Sequence, residues 1–165
     1  MDTTETGQVE VRQAARALVL DPAERLLLVR FVDPGNSEEW WATPGGGLDP
    51  GEDLEAGLRR ELREETGLEG FGLGRVVWTR RHVFPWAGRT LDQHESFFLV
   101  RVQPFDLRPG IGLVALRAEA VHELRWWTLE ELERSDARFA PSRLPSLLRA
   151  LLTSGAGAEP IDVGI

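Results

Sequence analysis

Residues 46–68 read Gly46-Gly47-Leu48-Asp49-Pro50-Gly51-Glu52-Asp53-Leu54-Glu55-Ala56-Gly57-Leu58-Arg59-Arg60-Glu61-Leu62-Arg63-Glu64-Glu65-Thr66-Gly67-Leu68. Asp49-Pro50-Gly51-Glu52 is turn chemistry. From Asp53 to Thr66 the composition changes to Leu, Glu, Arg and Ala, which predicts a helix that Gly67 stops. On a wheel of about 100° per residue with Leu54 at zero, Leu58 falls at about 40° and Leu62 at about 80°, so that arc is the buried stripe. Glu61 at about −20° and Glu65 at about +20° share it, with Glu64 at its edge at about −80°. Arg59, Arg63 and Glu55 point away. Burying one unpaired carboxylate is costly, and two at i, i+4 repel each other unless a cation lies between them. Oxygen ligands with no Cys or His nearby suit a hard ion, and Mg²⁺ with retained waters and substrate phosphates fits better than a closed protein cage. Gly57, one turn before Glu61, forgoes about 1 kcal/mol of helix propensity relative to Ala. A small residue there would leave room for an ion, its waters or a neighbouring backbone. The same composition also describes a surface helix laced with Glu–Arg pairs, for instance Arg60 with Glu64. The place of Glu61 and Glu65 on the apolar arc, after a triple-glycine turn, favours the cation site.

Working outward, Pro44-Gly45-Gly46-Gly47 marks a sharp turn where backbone can approach a ligand. Upstream, Arg16 to Leu20 is an apolar run, Asp21-Pro22-Ala23-Glu24 a turn, and Arg25 to Val32 a strand, together suggesting a hairpin. The segment from Asp33 to Glu39 reads as a loop leading to Trp40-Trp41-Ala42-Thr43. Downstream, Leu73 to Arg80, Ser96 to Val102 and Glu123 to Thr128 are predicted strands, and Leu129 to Arg134 and Ser142 to Leu152 predicted helices. Residues 1–9 read as a flexible N-terminus, 10–153 as one domain and 154–165 as a frayed, flexible tail. There is no internal repeat, and strands interspersed with a few helices predict an α/β layered domain.

The length of 165 residues and 42% hydrophobic content suit one globular domain with a sizeable core. A net charge of −8 repels nucleic-acid polymers, whereas a bound divalent cation can reverse the local field for a small anionic substrate. The absence of cysteine removes disulfides, thiolate metal sites and cysteine nucleophiles together. No stretch approaches the roughly 20 apolar residues of a membrane span, and Met1 to Glu10 lacks the regions of a signal peptide, so the expectation is cytoplasmic, with no membrane partner. All 19 basic residues are arginine, which excludes a lysine base and hints at a GC-rich bacterial genome.

The run Gly46-Gly47-Leu48-Asp49-Pro50-Gly51-Glu52, seven residues, then Arg60-Glu61-Leu62-Arg63-Glu64-Glu65-Thr66-Gly67-Leu68 resembles a complete box of the Nudix (MutT-like) hydrolase family. The resemblance implies an α/β/α sandwich around a mixed β-sheet. It also implies hydrolysis of a nucleoside diphosphate linked to another moiety, by water attack on phosphorus with Mg²⁺ or Mn²⁺. Carried over by position, it makes Glu61, Glu64 and Glu65 metal ligands, with the Gly45 carbonyl as a further one. Arg60 and Glu52 would orient them through charged hydrogen bonds. The cation would neutralise phosphate charge, polarise the phosphoryl oxygen and lower the pKa of the attacking water. The general base comes either from the box or from a later acid. Glu95, beside His94 at the start of Ser96-Phe97-Phe98-Leu99-Val100, is the candidate outside the box, with a strand-end structural charge as its alternative. Glu119 and Asp106 are weaker options, and His82 and His94 could assist by hydrogen bonding.

For the substrate, Trp40, Trp41 and Trp86 could stack on a base, while Trp126 and Trp127 read as structural. Arg80, Arg81 and Arg89 surround Phe84-Pro85-Trp86 and could hold a phosphate or carboxylate by forked hydrogen bonds. ADP-ribose hydrolases of the family carry a proline about fifteen or sixteen residues after the box, against seventeen for Pro85, and the tyrosine of many dinucleoside-polyphosphate hydrolases has no counterpart in a chain without Tyr. A nucleoside triphosphate and a nucleotide sugar both remain open. The alternative function is a non-catalytic nucleotide sensor, which such domains reach by losing box carboxylates. Isoprenoid diphosphate isomerisation on the same fold would want a catalytic Cys. Many members of the family form homodimers, which leaves that assembly open.

Overall fold

The computed structural model describes residues 8–33, 35–86, 88–112, 115–116 and 120–164, with Trp86 described for its backbone alone. In chain order the elements are β1 (Val9–Leu20), β2 (Leu26–Val32), β3 (Glu39–Ala42), β4 (Gly45–Gly47), α1 (Leu54–Thr66), β5 (Val76–Trp86), β6 (Arg89–Arg101), β7 (Val121–Trp127), α2 (Leu129–Arg134), β8 (Phe139–Ala140), α3 (Leu144–Ser154) and β9 (Ile161–Asp162). The described strands form one mixed sheet in the order β8-β3-β2-β1-β6-β5-β9, with β4 added to β1 and β7 to β2. β1 runs parallel to β6 along its whole length, and β5 and β6 form a long antiparallel hairpin.

Alternation along β1 makes the layers. Ala15, Ala17 and Val19 face Leu58 and Leu62 of α1, together with Phe98 and Val100. Leu18 and Leu20 face the opposite way, into a core with Trp78, Phe97, Trp127, Leu132 of α2, and Leu144 and Leu148 of α3. The result is the expected α/β/α sandwich. Asp53 caps α1 by accepting from the Ala56 N–H at 2.8 Å, and Gly67 closes it at φ 80°, its N–H donating to Arg63 O at 3.0 Å. Thr128 and Glu131 cap α2 reciprocally.

Several elements differ from the sequence reading. The triple glycine is a short strand, β4, lying antiparallel on β1. It must be glycine because a Cβ at Gly45 would stand 2.2 Å from Ala15 O, at a φ of 133°. The β1–β2 hairpin pairs only at Leu20↔Leu26, after which β2 pairs with β3 and β7. β5 extends through Pro85 to Trp86, past the predicted end at Arg80, and β6 begins at Arg89. Pairing with each other carries these polar and proline-containing stretches as strands, which local composition does not announce. Gly57 leaves room for Leu48, whose Cδ2 would lie 2.3 Å from a Cβ there, and not for an ion. The tail expected to fray returns to the sheet. Ile161–Asp162 pairs parallel to β5, and Val163, 1% exposed, joins the larger core. At the other end Val9 already belongs to β1, and residues 1–7 lie outside the described residues.

Candidate functional site

β4 lies between β1 and α1 and sets the backbone of the site. Its ladder with β1 uses residues 44, 46 and 48: Ala17 N–H donates to Pro44 O and Leu48 N–H to Gln13 O, both at 3.0 Å. Gly45 and Gly47 therefore turn their peptide groups away from β1, towards α1. The Gly45 N–H meets Glu65 Oε1 at 3.4 Å, and the Gly47 carbonyl accepts from Arg60 Nη2 at 3.2 Å. This strand geometry leaves the Gly45 carbonyl facing the same side as Glu65.

Glu65 is 2% exposed, and its Oε2 is buried without a hydrogen-bond partner. Burial pushes its carboxyl well above the ordinary carboxylate range, and the adjoining Glu61 carboxyl pushes it further, against the pull of Arg16 and the Gly45 N–H. Glu61 lies against Gly46, where a Cβ would stand 2.9 Å from its Oε1. The structure thus brings Glu61 and Glu65 together beside Gly45 and Gly46. Glu64 turns its Oε2 to Arg60 Nη1 at 3.4 Å, and among the described residues no three Asp, Glu or His side chains already form a metal-holding group.

Arg60 is the hub of the outer side. It forks onto Glu52 at 2.8 and 2.9 Å and donates to Glu61 Oε1 at 3.1 Å. The Arg60 bonds, with the Asp49 N–H at 2.6 Å, hold the Glu52 carboxyl down at about 2. Glu52 therefore fixes the arginine, and the arginine fixes Glu61 and Glu64.

The chemistry of this donor set fits a divalent cation. Two adjoining carboxylates, one with a buried oxygen lacking any partner, gain from an ion what no neighbouring side chain provides.

The sheet face that carries Leu18, Phe97 and Trp78 turns polar farther along its strands. Pairing across β1, β6 and β5 sets Ala14, Glu95 and Arg80 in one row and Arg12, Gln93 and His82 in the next. Glu95, 2% exposed, receives Arg16 Nε at 2.5 Å, Arg80 Nη1 at 2.7 Å and Gln93 Nε2 at 3.2 Å. Burial alone would raise its carboxyl, but the two guanidinium groups hold it below the usual range. Both oxygens of Glu95 are engaged by cations, an arrangement that fixes the arginines better than it accepts a proton.

Arg16 joins the two clusters, donating to Thr43 O at 3.0 Å and feeling the charges of Glu65 and Glu61 as well as Glu95. The sequence reading missed Arg16 and Arg12. The signal available was the period of β1, which puts both on the face of Leu18 and Leu20. Arg12 lies against Gly47, where a Cβ would meet its Nε at 1.9 Å.

A cleft of about 960 Å³ opens over this polar row. Arg16, Gln93 and Glu95 line it from β1 and β6, Trp40 and Phe139 from β3 and β8, and Arg80, His82 and Phe84 from β5. Trp40 stacks on Phe31 at 5.8 Å and 18°. Trp41 is a core residue packed edge-on to Trp127, as Trp126 is to Phe105, so neither Trp41 nor the 126–127 pair faces the cleft. Of the three arginines near Phe84, only Arg80 belongs to the cleft. Arg81 pairs with Asp92 and Arg89 with Glu10, both outside it. Burial and then Arg80 lower the His82 imidazole, keeping it neutral, while His94 contacts Asp92 at 3.2 Å. Asp106 is exposed beside Arg108, and Glu119 and the Trp86 side chain lie outside the described residues.

A family model described as NUDIX domain matches residues 10–149. An RNA pyrophosphohydrolase of Sphingopyxis alaskensis is 32% identical over 133 residues, 74% of this chain and 81% of its own. A nucleoside triphosphatase NudI of Enterobacter sp. is 35% identical over 126 residues, 74% of this chain and 82% of its own. Among solved structures, the E. coli ORF135 protein aligns with a TM-score of 0.62 at 23% identity, covering 88% of this chain and 94% of that one. A MutT protein of Methanosarcina mazei aligns with a TM-score of 0.61 at 17% identity, covering 89% and 96%. No helix among the described residues is long and apolar enough to cross a membrane.

Proposed function

The chain belongs to the NUDIX domain family and is a hydrolase of phosphorus-containing acid anhydrides; from that premise we propose that it cleaves a nucleoside diphosphate linked to another moiety, with Mg²⁺ and alternatively Mn²⁺. The observation that carries the cation assignment is the buried, unpartnered Oε2 of Glu65 beside Glu61. A divalent ion held there supplies charge neutralisation and Lewis acidity toward phosphate oxygens and water. Glu61, Glu64, Glu65 and the Gly45 carbonyl would hold it, the last on the side of β4 that faces α1.

The protein's own residues supply the remaining work. Arg60, fixed by Glu52, holds Glu61 and Glu64 in their rotamers, so that both reach the same side of α1. The proton of the attacking water goes to a box glutamate in this reading, because Glu95 already spends both oxygens on Arg16 and Arg80. The cleft walls exclude water and orient the nucleoside part.

A small nucleotide is favoured over an RNA end. The name of the 32% identical relative supports the RNA reading, but a net charge of −8 works against a polyanion. A homodimer is proposed from family resemblance alone, and sedimentation equilibrium tests it.

The test is product release from nucleoside triphosphates, nucleotide sugars, ADP-ribose, dinucleotides and a 5′-triphosphorylated RNA, with Mg²⁺, with Mn²⁺ and with EDTA. Cleavage of one class of small nucleotide that EDTA and Glu61→Gln both abolish supports the reading. Tight binding without turnover in either metal would instead favour a sensor, and preference for the RNA would overturn the small-substrate assignment.

A further inference from the structure

The cleft has a particular distribution of chemistry. Its walls are aromatic, with Trp40 and Phe139 contributed from one end of the strand order and Phe84 from near the other. Between them β1, β6 and β5 present donors: Arg16, Gln93 and Arg80 all point hydrogen bonds at the single carboxylate of Glu95. A flat ring can stack on one of these aromatic walls while its polar edge meets the donors.

Arg80 is the donor with capacity left over. It is 8% exposed, its Nη1 is committed to Glu95, and its Nε is buried without a partner. A charged group short of partners in a dry place is costly, and an acceptor bound at its accessible edge would offset part of that cost. Glu95 holds the guanidinium through Nη1 alone, and with Nε enclosed the terminal Nη1/Nη2 edge is the part left to a ligand. An arginine edge matches two adjacent acceptors, such as O6 and N7 of guanine, and it mismatches adenine, which sets an amino donor beside N7.

We infer that Arg80 is a specificity-determining residue that donates to the acceptor edge of a nucleobase seated in this cleft, giving the enzyme a preference for 6-oxopurine over 6-aminopurine nucleotides. This deepens the hydrolase reading and rests on it for the seating of a nucleotide, yet its test does not need turnover. An acceptor oxygen could also come from a phosphate, so the test separates the two sources.

Calorimetry in EDTA measures binding of GMP, AMP and inorganic tripolyphosphate to the wild-type chain, to Arg80→Gln and to Arg80→Lys, with circular dichroism as the check on folding. The wild type should bind GMP about ten- to a hundredfold more tightly than AMP, the range of one bidentate base contact. In Arg80→Gln that ratio should collapse towards one while tripolyphosphate affinity is unchanged. Arg80→Lys keeps a cation opposite Glu95 but lacks the fork, so it should lose the ratio too and carries the test if the Gln variant does not fold. Equal affinity for GMP and AMP in the wild type, or a ratio that survives both substitutions, overturns the inference. A selective loss of tripolyphosphate affinity also overturns it, by making Arg80 a phosphate contact. If base discrimination is found but no nucleotide is hydrolysed, the hydrolase reading fails and the Arg80 assignment stands.

Discussion

Replacing Glu65 by Gln should make the metal-free protein more stable while removing its response to Mg²⁺. The side chain is 2% exposed, one carboxylate oxygen has no partner, and the other has only a 3.4 Å bond from Gly45. Gln keeps the shape, removes the titrating proton and offers an amide donor to Glu61 at every pH. Relieving an unsatisfied buried polar group is worth about 1–3 kcal/mol, more when it is charged. For a chain of this size each kcal/mol is about 2–4 °C in Tm, so Glu65→Gln should melt about 2–12 °C higher in EDTA near pH 7. In the wild type, Mg²⁺ at ten times its Kd should add about 1.4 kcal/mol, and in the variant almost nothing. Differential scanning fluorimetry with EDTA and with graded Mg²⁺ reads both quantities, and product release reads the accompanying loss of hydrolysis. A variant that melts below the wild type and keeps the full Mg²⁺ increment would refute the reasoning and leave Glu65 as an ordinary structural charge.

Four further outcomes follow from the same geometry. Because the folded Glu65 carboxyl titrates above the unfolded value of about 4.3, the folded state binds more protons in between, so metal-free stability should fall as pH rises through that window, by up to about 1.4 kcal/mol per unit; the Tm difference between wild type and Glu65→Gln across pH 4 to 8, plotted in EDTA, checks the sign. Gly46→Ala places a Cβ 2.9 Å from Glu61 Oε1 and should shift Tm little while weakening the Mg²⁺ response, which a Mg²⁺ titration of Tm measures. Arg60→Lys loses the fork to Glu52 and the reach to Gly47 O, and should weaken metal affinity or activity by about 10–100-fold with the fold retained. Val163→Ala removes part of a side chain 1% exposed in the core and should cost on the order of 1–3 kcal/mol by urea unfolding, whereas a frayed tail would cost nothing.

What could be read from the sequence was whatever depends on neighbours along the chain. The helix up to Thr66 and its stop at Gly67 follow from composition, and the shared arc of Glu61 and Glu65 with the leucines from a 3.6-residue period; the structure has them, with Asp53 as the cap before the first helical residue. Arg60 was assigned to orienting work from resemblance, and it makes those bonds. Long-range pairing was less legible. Three glycines permit a turn at β4, yet Gly45 lets backbone lie against β1, while Gly46 and Gly47 leave room for the Glu61 and Arg12 side chains. The outer halves of β5 and β6 look like loops until each is seen to be the other's partner. Two-residue strands such as β8 and β9 leave no periodicity at all. The arginines near Phe84 show the same limit: they are alike in sequence, yet Arg81 lies on the opposite face of the hairpin from Arg80, and Arg89 lies on Arg80's face at its far end, beside Glu10.

The acidity of the whole chain and the needs of an anionic substrate are reconciled at Arg16. A net charge of −8 is felt at long range, where salt screens it within about 8 Å. Inside the site the count is different. Burial works against the charge of Arg16, but Glu95, Glu65 and Glu61 together raise its affinity for the proton, so it stays a cation between the carboxylate pair and the cleft. Arg16 and Arg80 exceed Glu95 by one positive charge in the polar row, with Arg12 in the neighbouring row beside Gly47, while Asp33, Glu38 and Arg138 also line the cleft. The carboxylates that would repel phosphate are those suited to a divalent ion, and the arginines Arg16 and Arg80 line the cleft beside them. Arg16 thus stands between the two clusters, bonded to Glu95 and to Thr43 O and feeling the charges of Glu65 and Glu61.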